Sequence, residues 1–344
     1  PSHDSHELTH LHKSTYGGEY YASLLEREHV VYTESRKRTG MLTESSNGRP
    51  RTRSFCKELE DCPKDQCSDQ PAYIYNNFQT HINIDMRATL VNWIIGVAKV
   101  LKLNHETLHS CVKILDRGLE AIVVTADTFH TYGCACLLIA SKLNEVKRHR
   151  AVDIAFFTDE ACTPREICEM ELQICTTLGF SLQLVNAFHF IDRFIDASHF
   201  TMGSYMYDDD IDDEPCLNVP IHARIPPYNP KLEATTLFIL DAALLIPKLV
   251  DIKDSLIAAA SLYLARAVVG IRDKEGMIWN AEMAHHTGFG TDEIAGTVMT
   301  LLLYIKEAKN NPHMASLRMK YKSREYFNVA YKVTILPQDL QFSE

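Results

Sequence analysis

From about residue 84 onward, apolar side chains recur with a helical period almost without interruption, and alternating apolar–polar stretches are scarce. That pattern predicts an all-α chain. The first strong segment, Met86–Leu103, is apolar nearly all round, so it is expected to be buried on most sides. A second runs from Asn104, a residue suited to N-capping, to Ile122. A third runs from Thr125 to Leu143, and a short fourth spans about 151–157. The fifth carries the clearest start in the chain. Thr163-Pro164-Arg165-Glu166 places Thr at the N-cap, Pro at the first helical position and Glu two residues later, a capping box with a proline where no N–H is needed. Gly179 is positioned to end it.

A second set of helical segments follows near 185–199, 230–246, 253–269, 278–287 and 291–309. Asn229-Pro230 repeats the cap-plus-proline start, and Gly270 and Gly288 fall at helix ends. Leu138-Ile139-Ala140-Ser141 resembles Ala258-Ala259-Ala260-Ser261, and Thr163 has a counterpart in Thr291. The order of helix lengths favours two related five-helix bundles, which suits a chain of 344 residues better than one core. Two polar stretches rich in turn formers, 33–70 and 201–229, read as surface insertions. The first carries Arg36, Lys37, Arg38, Arg49, Arg51 and Arg53, the second four prolines and an acidic run.

The formal charge is −10, and six of the acids lie in the single run Asp208 to Glu214. A protein that binds by neutralising phosphates leans the other way. No apolar stretch reaches the ~18 residues of a membrane span, and no apolar signal segment follows Pro1. Ten cysteines without dense spacing read as reduced, intracellular thiols. There is no Gly-rich phosphate loop, no Gly-x-Ser-x-Gly and no His-Glu-x-x-His. His3, His6, His10 and His12 lie in a polar terminus, and Cys56, Cys62 and Cys67 lack the paired spacing of zinc modules. No metal, cofactor or catalytic residue is expected.

Residues 86–180 carry a series of motifs in a fixed order. Met86-Arg87-Ala88-Thr89-Leu90-Val91-Asn92-Trp93-Ile94 resembles the "MRAxLVDWL" opening of the cyclin box. Leu103 to His109, Ile114-Leu115-Asp116-Arg117, Leu137 to Glu145, and Glu169-Met170-Glu171 through Leu178-Gly179-Phe180 resemble its later segments. Leu317 to Tyr326 looks like the "IRxKYKxSKY" segment of A- and B-type mitotic cyclins. The resemblance covers about three quarters of the chain. It implies an N-terminal polar segment with a helix and an insertion (1–84), an N-terminal cyclin box (85–182), a C-terminal cyclin fold with the acidic insertion (183–312) and a tail (313–344).

The resemblance also implies a function: a regulatory subunit, not an enzyme, that binds and activates a cyclin-dependent Ser/Thr kinase at G2/M, in nucleus and cytoplasm. Lys142 and Glu171 match the pair that fastens main chain near the kinase's regulatory helix. Leu143, Cys175, Phe180 and Leu182 match residues that pack on the kinase, and Tyr21 and Leu24 lie in a helix that resembles the segment lying against it. Met86, Leu90 and Trp93 match a groove that docks Arg-x-Leu segments of substrates and inhibitors. Arg87 and Asp116 match a buried structural pair. The chain departs from the family pattern where Gly96 replaces an acid, Thr89 an aliphatic residue, Phe129-His130 a Leu-Gln, and Asn144 a Glu. Lys147-Arg148-His149-Arg150 also stands in place of an apolar, proline-rich turn. Cyclin-fold transcription factors that bind DNA or the polymerase machinery share the bundle pair. The acidic balance and the Lys/Glu match argue against that alternative.

Overall fold

A computed structural model describes residues 20–33, 78–203, 229–273, 275–307 and 311–333. The histidine cluster at 3–12, the cysteines at 56, 62 and 67, the acidic run at 208–214 and nearly all of both insertions lie outside them. Every regular element among the described residues is helical. Helix α1 spans 20–33. The first bundle comprises α2 (Ile84–Leu101), α3 (His105–Leu119), α4 (Ala126–Asn144), α5 (Ala151–Ala155) and α6 (Pro164–Thr177). The second comprises α7 (Phe188–Gly203), α8 (Pro230–Ala243), α9 (Asp254–Val269), α10 (Ala281–Thr287) and α11 (Thr291–Glu307). A closing segment holds α12 (Ala315–Tyr321) and α13 (Val329–Lys332).

The helices begin where short polar side chains satisfy otherwise unpaired backbone N–H groups. Asn104 Oδ1 accepts from the Thr107 amide at 2.7 Å, and Asn229 Oδ1 from those of Lys231 and Leu232. Thr163 and Glu166 form the reciprocal box: Thr163 Oγ1 accepts from the Glu166 amide at 3.2 Å, and Glu166 Oε2 from the Thr163 amide at 2.8 Å. Gly270 and Gly288 close α9 and α10 with left-handed φ of 83° and 80°, a conformation glycine adopts without a Cβ penalty.

The internal repeat has a structural meaning. Leu138–Ser141 lies in α4 and Ala258–Ser261 in α9, the third helix of each bundle, and both are buried on nearly every side. Thr163 and Thr291 open or flank the fifth helix of each. Small residues along the central helix let its neighbours pack closely. At Gly133 of α4 an added Cβ would meet the Leu90 side chain of α2 at 2.7 Å.

Helix α1 docks on the second bundle. Leu24 is only 2% exposed. The Tyr21 ring meets Phe190 and Phe194 edge-on, both centroids 6.0 Å away, and its hydroxyl donates to the Thr287 carbonyl at 2.9 Å. The Glu28 carboxylate accepts from the Ser255 amide and hydroxyl, both at 2.6 Å, at the first turn of α9. A carboxylate there meets unpaired N–H groups and the positive end of the helix dipole. Tyr21 and Leu24, expected on a partner-facing helix, form with Leu25 and Glu28 the stripe that seats α1 on its own chain. The opposite face, with Tyr20 and Val30, is the exposed one.

Candidate partner-binding face

The last turn of α4 and the middle of α6 lie side by side. Lys142 Nζ donates to both carboxylate oxygens of Glu171, at 2.6 and 2.8 Å. The Lys142 side chain is 46% exposed and that of Glu171 17%, so the pair sits at the rim of the bundle. Each half is placed by local structure. The α4 core, Phe129 to Ser141, is anchored in the first bundle, and α6 is phased by its capping box.

Helix α6 ends in a Schellman turn. The Phe180 amide donates to the Cys175 carbonyl at 2.8 Å and the Gly179 amide to that of Thr176 at 3.1 Å. Gly179 and Phe180 both take a left-handed φ of 58°. For Phe180 that conformation is costly, and it leaves the ring 68% exposed. Leu143, Val146, Leu172 and Phe156 are exposed as well. These apolar side chains are carried by the same elements as the ion pair, α4, α6 and the turns beside them. Exposed apolar groups in such numbers mark an interaction surface.

The other expected contacts are placed differently. Leu182 is half-buried. Cys175 is only 8% exposed, and burial, followed by the neighbouring Glu171 carboxylate, pushes its thiol pKa up. It supports the surface from beneath, as its place one turn before the end of α6 requires. Val146, Phe156 and Leu172 were missed in the sequence. The signal for Phe156 and Leu172 was present as apolar residues at positions the helical period turns outward, whereas Val146 lies in the bend after α4.

Arg87 and Asp116 meet as a buried bidentate pair, Nε–Oδ1 and Nη2–Oδ2 both 2.7 Å. Arg87 Nη1 also donates to the Leu244 carbonyl at 3.0 Å, so the pair ties α2 and α3 to the end of α8. In the α2 stripe, Met86 and Trp93 are half-buried and Leu90 is buried, with its methyl carbons under 3 Å from where a Cβ on Gly133 would lie. Trp93 packs edge-on against His130 at 4.4 Å, and burial lowers the His130 pKa. The next face of α2 is covered by the closing segment. The Ser316 amide donates to Asn92 Oδ1 at 2.9 Å and Lys99 Nζ to the Met319 carbonyl at 2.7 Å. Gly96 thus lies against Ser316, whose Oγ is 3.1 Å from where a Cβ would stand.

Among the described residues no group of three His, Cys, Asp or Glu side chains is placed to hold a metal, and no helix is long and apolar enough to cross a membrane. All six cysteines described are free thiols.

Residues 54–183 match the family described as "Cyclin, N-terminal domain" and residues 185–334 "Cyclin, C-terminal domain". The chain belongs to the cyclin family. Cyclins are regulatory subunits of kinases, not enzymes themselves. The chain is 28% identical over 258 residues to a G2/mitotic-specific cyclin-B of Dictyostelium discoideum, covering 75% of this chain and 51% of that protein. It is 27% identical to Cyclin-A1-2 of Arabidopsis thaliana (83% and 59% covered) and 27% identical to S-phase entry cyclin-6 of Saccharomyces cerevisiae (74% and 59%). It thus spans about half to three fifths of the length of these relatives. A viral cyclin from herpesvirus saimiri has the same fold, with a TM-score of 0.53 and 21% identity over 67% of this chain and 89% of that one. The Lys142–Glu171 pair and the apolar surface around it lie wholly within the N-terminal cyclin domain, whereas α1 packs on the C-terminal one.

Proposed function

We propose that this cyclin binds a cyclin-dependent Ser/Thr kinase and holds it in its active arrangement. The observation that carries the reading is the Lys142–Glu171 pair at the rim of an exposed apolar surface. An ammonium and a carboxylate held together are suited to the unpaired C=O and N–H groups near a helix end of a partner. A half-exposed ion pair contributes only about 0–1 kcal/mol, so exchanging it for such groups costs little. Both side chains are already held near one geometry, which lowers the entropy lost on binding. The neighbouring Phe180, Leu143 and Leu172 supply apolar area to bury.

The mechanism is a population shift. A kinase resting 99:1 in its inactive arrangement moves to 1:99 if the cyclin binds the active one better by about 5.5 kcal/mol. The B- and A-type mitotic names among the relatives support a role at G2/M, and a cyclin acting there would work in nucleus and cytoplasm. Docking of Arg-x-Leu segments rests on Met86 and Trp93, the two members of that stripe that keep exposed surface.

The test is a phosphorylation assay with a purified cyclin-dependent kinase, using wild type beside Lys142→Ala and Glu171→Ala. Wild type should stimulate the kinase, and each variant should lose at least tenfold, the scale of removing a charged interface partner at about 2–5 kcal/mol. Equal stimulation by all three proteins would refute the anchoring role of the pair.

A further inference from the structure

The loop that joins α4 to α5, Lys147-Arg148-His149-Arg150, is basic in a chain of charge −10. Its charges are not equivalent. Arg150 starts α5: its amide donates to Asp153 Oδ2 at 2.9 Å, and its guanidinium reaches both oxygens of the same carboxylate, at 3.2 and 3.4 Å. That cation is neutralised where it stands. Glu145, the acid on the other flank, is turned toward α3, where it accepts from the Asn104 amide at 2.8 Å and the Thr107 hydroxyl at 2.6 Å. Lys147 and Arg148 are left exposed, with no acidic partner among the described residues.

Beside these two cations lies an apolar floor. Val146 is fully exposed, Phe156 is 80% exposed, and Val152 is exposed as well. Leu101, Val152, Phe156 and Phe157 line a shallow depression whose rim carries Lys147 and Arg148. The loop is fastened to α4 by the His149 amide, which donates to the buried Ser141 hydroxyl at 3.4 Å. The depression follows the Lys142–Glu171 pair closely along the chain: Lys147 on its rim is five residues beyond Lys142, with the exposed Leu143 and Val146 between them.

We infer that this depression receives an acidic segment of the partner kinase, with aspartate or glutamate carboxylates on Lys147 and Arg148 and an apolar side chain on Phe156 and Val152. The inference rests on the kinase-binding reading above and adds the chemistry of the partner. Charge complementarity selects the occupant. Two uncompensated cations on an acidic protein are too few to hold nucleic acid, whose binding depends on many neutralised phosphates. A single phosphate calls for converging donors, such as a bidentate arginine or a helix N-terminus. Of the two guanidinium groups in this loop, that of Arg150 is already engaged by Asp153, which leaves Arg148 with no converging donor on its own loop for a phosphate. Two cations on consecutive residues over an open floor suit carboxylates spread along a segment. Such charges at an interface rim act mainly on the association rate.

The test measures association of the full chain with the cyclin-dependent kinase that it activates, as a function of salt. Lys147→Glu/Arg148→Glu should slow association about tenfold at low salt, and the difference should fade as salt rises toward about 0.5 M. Phe156→Ala should instead speed dissociation. Replacing the facing acids of the kinase by lysine should restore the rate of the charge-reversed cyclin. Both positions are exposed, and an unchanged unfolding midpoint confirms that the variant is folded. An unchanged rate and salt slope, in a protein whose activation still depends on Lys142, would sink the inference and leave the kinase reading standing. Failure of wild type to bind any such kinase would remove both. A difference that disappears after the kinase is treated with phosphatase would overturn the carboxylate assignment in favour of phosphate.

Discussion

Two charged clusters in this protein use the same side-chain chemistry and come to opposite ends. At the rim of the first bundle, Lys142 and Glu171 form an isolated pair within reach of water. Between the bundles, Asp241 of α8 is fully buried and accepts from four groups: Lys320 Nζ at 2.8 Å, the Tyr321 hydroxyl at 2.7 Å, His109 Nε2 at 3.0 Å and, more weakly, His105 Nδ1 at 3.5 Å. The donors come from the first bundle and the closing segment, so one carboxylate joins three parts of the chain. Where water is excluded, a charge must be fully partnered, and the partners are then fixed. Where water remains, partners are interchangeable. Architecture needs the first arrangement and recognition needs the second.

The largest effect is expected from breaking the buried cluster. Lys320→Met leaves Asp241 as an interior charge without a counter-ion and should cost about 3–5 kcal/mol in denaturant unfolding. The double variant Lys320→Met/Asp241→Leu should recover much of that loss, because it removes both charges. A single-variant cost under about 1 kcal/mol would mean that Tyr321 and the histidines suffice, and the contrast between the clusters would collapse.

The same cluster should make stability depend on pH. Burial by itself would raise the Asp241 pKa, but Lys320 and His105 draw it well below 3.8. For His109, burial wins over its bond to Asp241 and lowers the pKa from 6.5. Both groups bind fewer protons in the folded state than in the unfolded chain. Their contribution is therefore fully present above the unfolded values. The His109 part begins to be lost as pH falls through 6.5 toward its folded value, at up to about 1.4 kcal/mol per pH unit. The Asp241 part is lost only in stronger acid. Unfolding measured from pH 7.5 to 5 should show the His109 slope, and His109→Gln should flatten it.

A smaller loss is expected at the seat of α1. Glu28→Gln keeps an acceptor for Ser255 but removes the charge at the α9 N-terminus, a change worth about 1–2 kcal/mol. Amide exchange should locate the effect: protection within 20–33 should fall while that of α4 and α9 stays high. Uniform loss across both bundles would show instead that α1 is part of the core.

Local signals in the sequence carried most of the fold. The Thr163-Pro164-Arg165-Glu166 box, the Asn104 and Asn229 caps and the Gly270 and Gly288 stops all act within a few residues, so reading along the chain finds them. The Asp241 cluster was not legible. Its partners lie 79 to 136 residues away, and a lone Asp in an apolar helix gives no hint of which cation meets it. The docking of α1 was hidden for the same reason, since Glu28 and Ser255 are 227 residues apart. At the candidate face, the register of Lys142 and Glu171 came from motif order, but Phe156 and Leu172 needed the structure. Helical period tells which residues point outward and not which of them share a surface.

The smallest effect on stability is expected at the pair that matters most for the proposal. Lys142→Ala removes one half of an ion pair whose lysine is half-exposed, and the remaining Glu171 carboxylate turns to water at little cost. Unfolding free energy should change by less than about 1 kcal/mol. The same variant should bind and activate a cyclin-dependent kinase much more weakly, because in the complex no water is available to replace the ammonium. A large effect on binding with almost none on stability is the signature of an exchangeable contact. If Lys142→Ala instead destabilised the chain as strongly as Lys320→Met, the pair would belong with Asp241 to the architecture, and the search for the kinase anchor would move to Phe180 and the apolar residues around it.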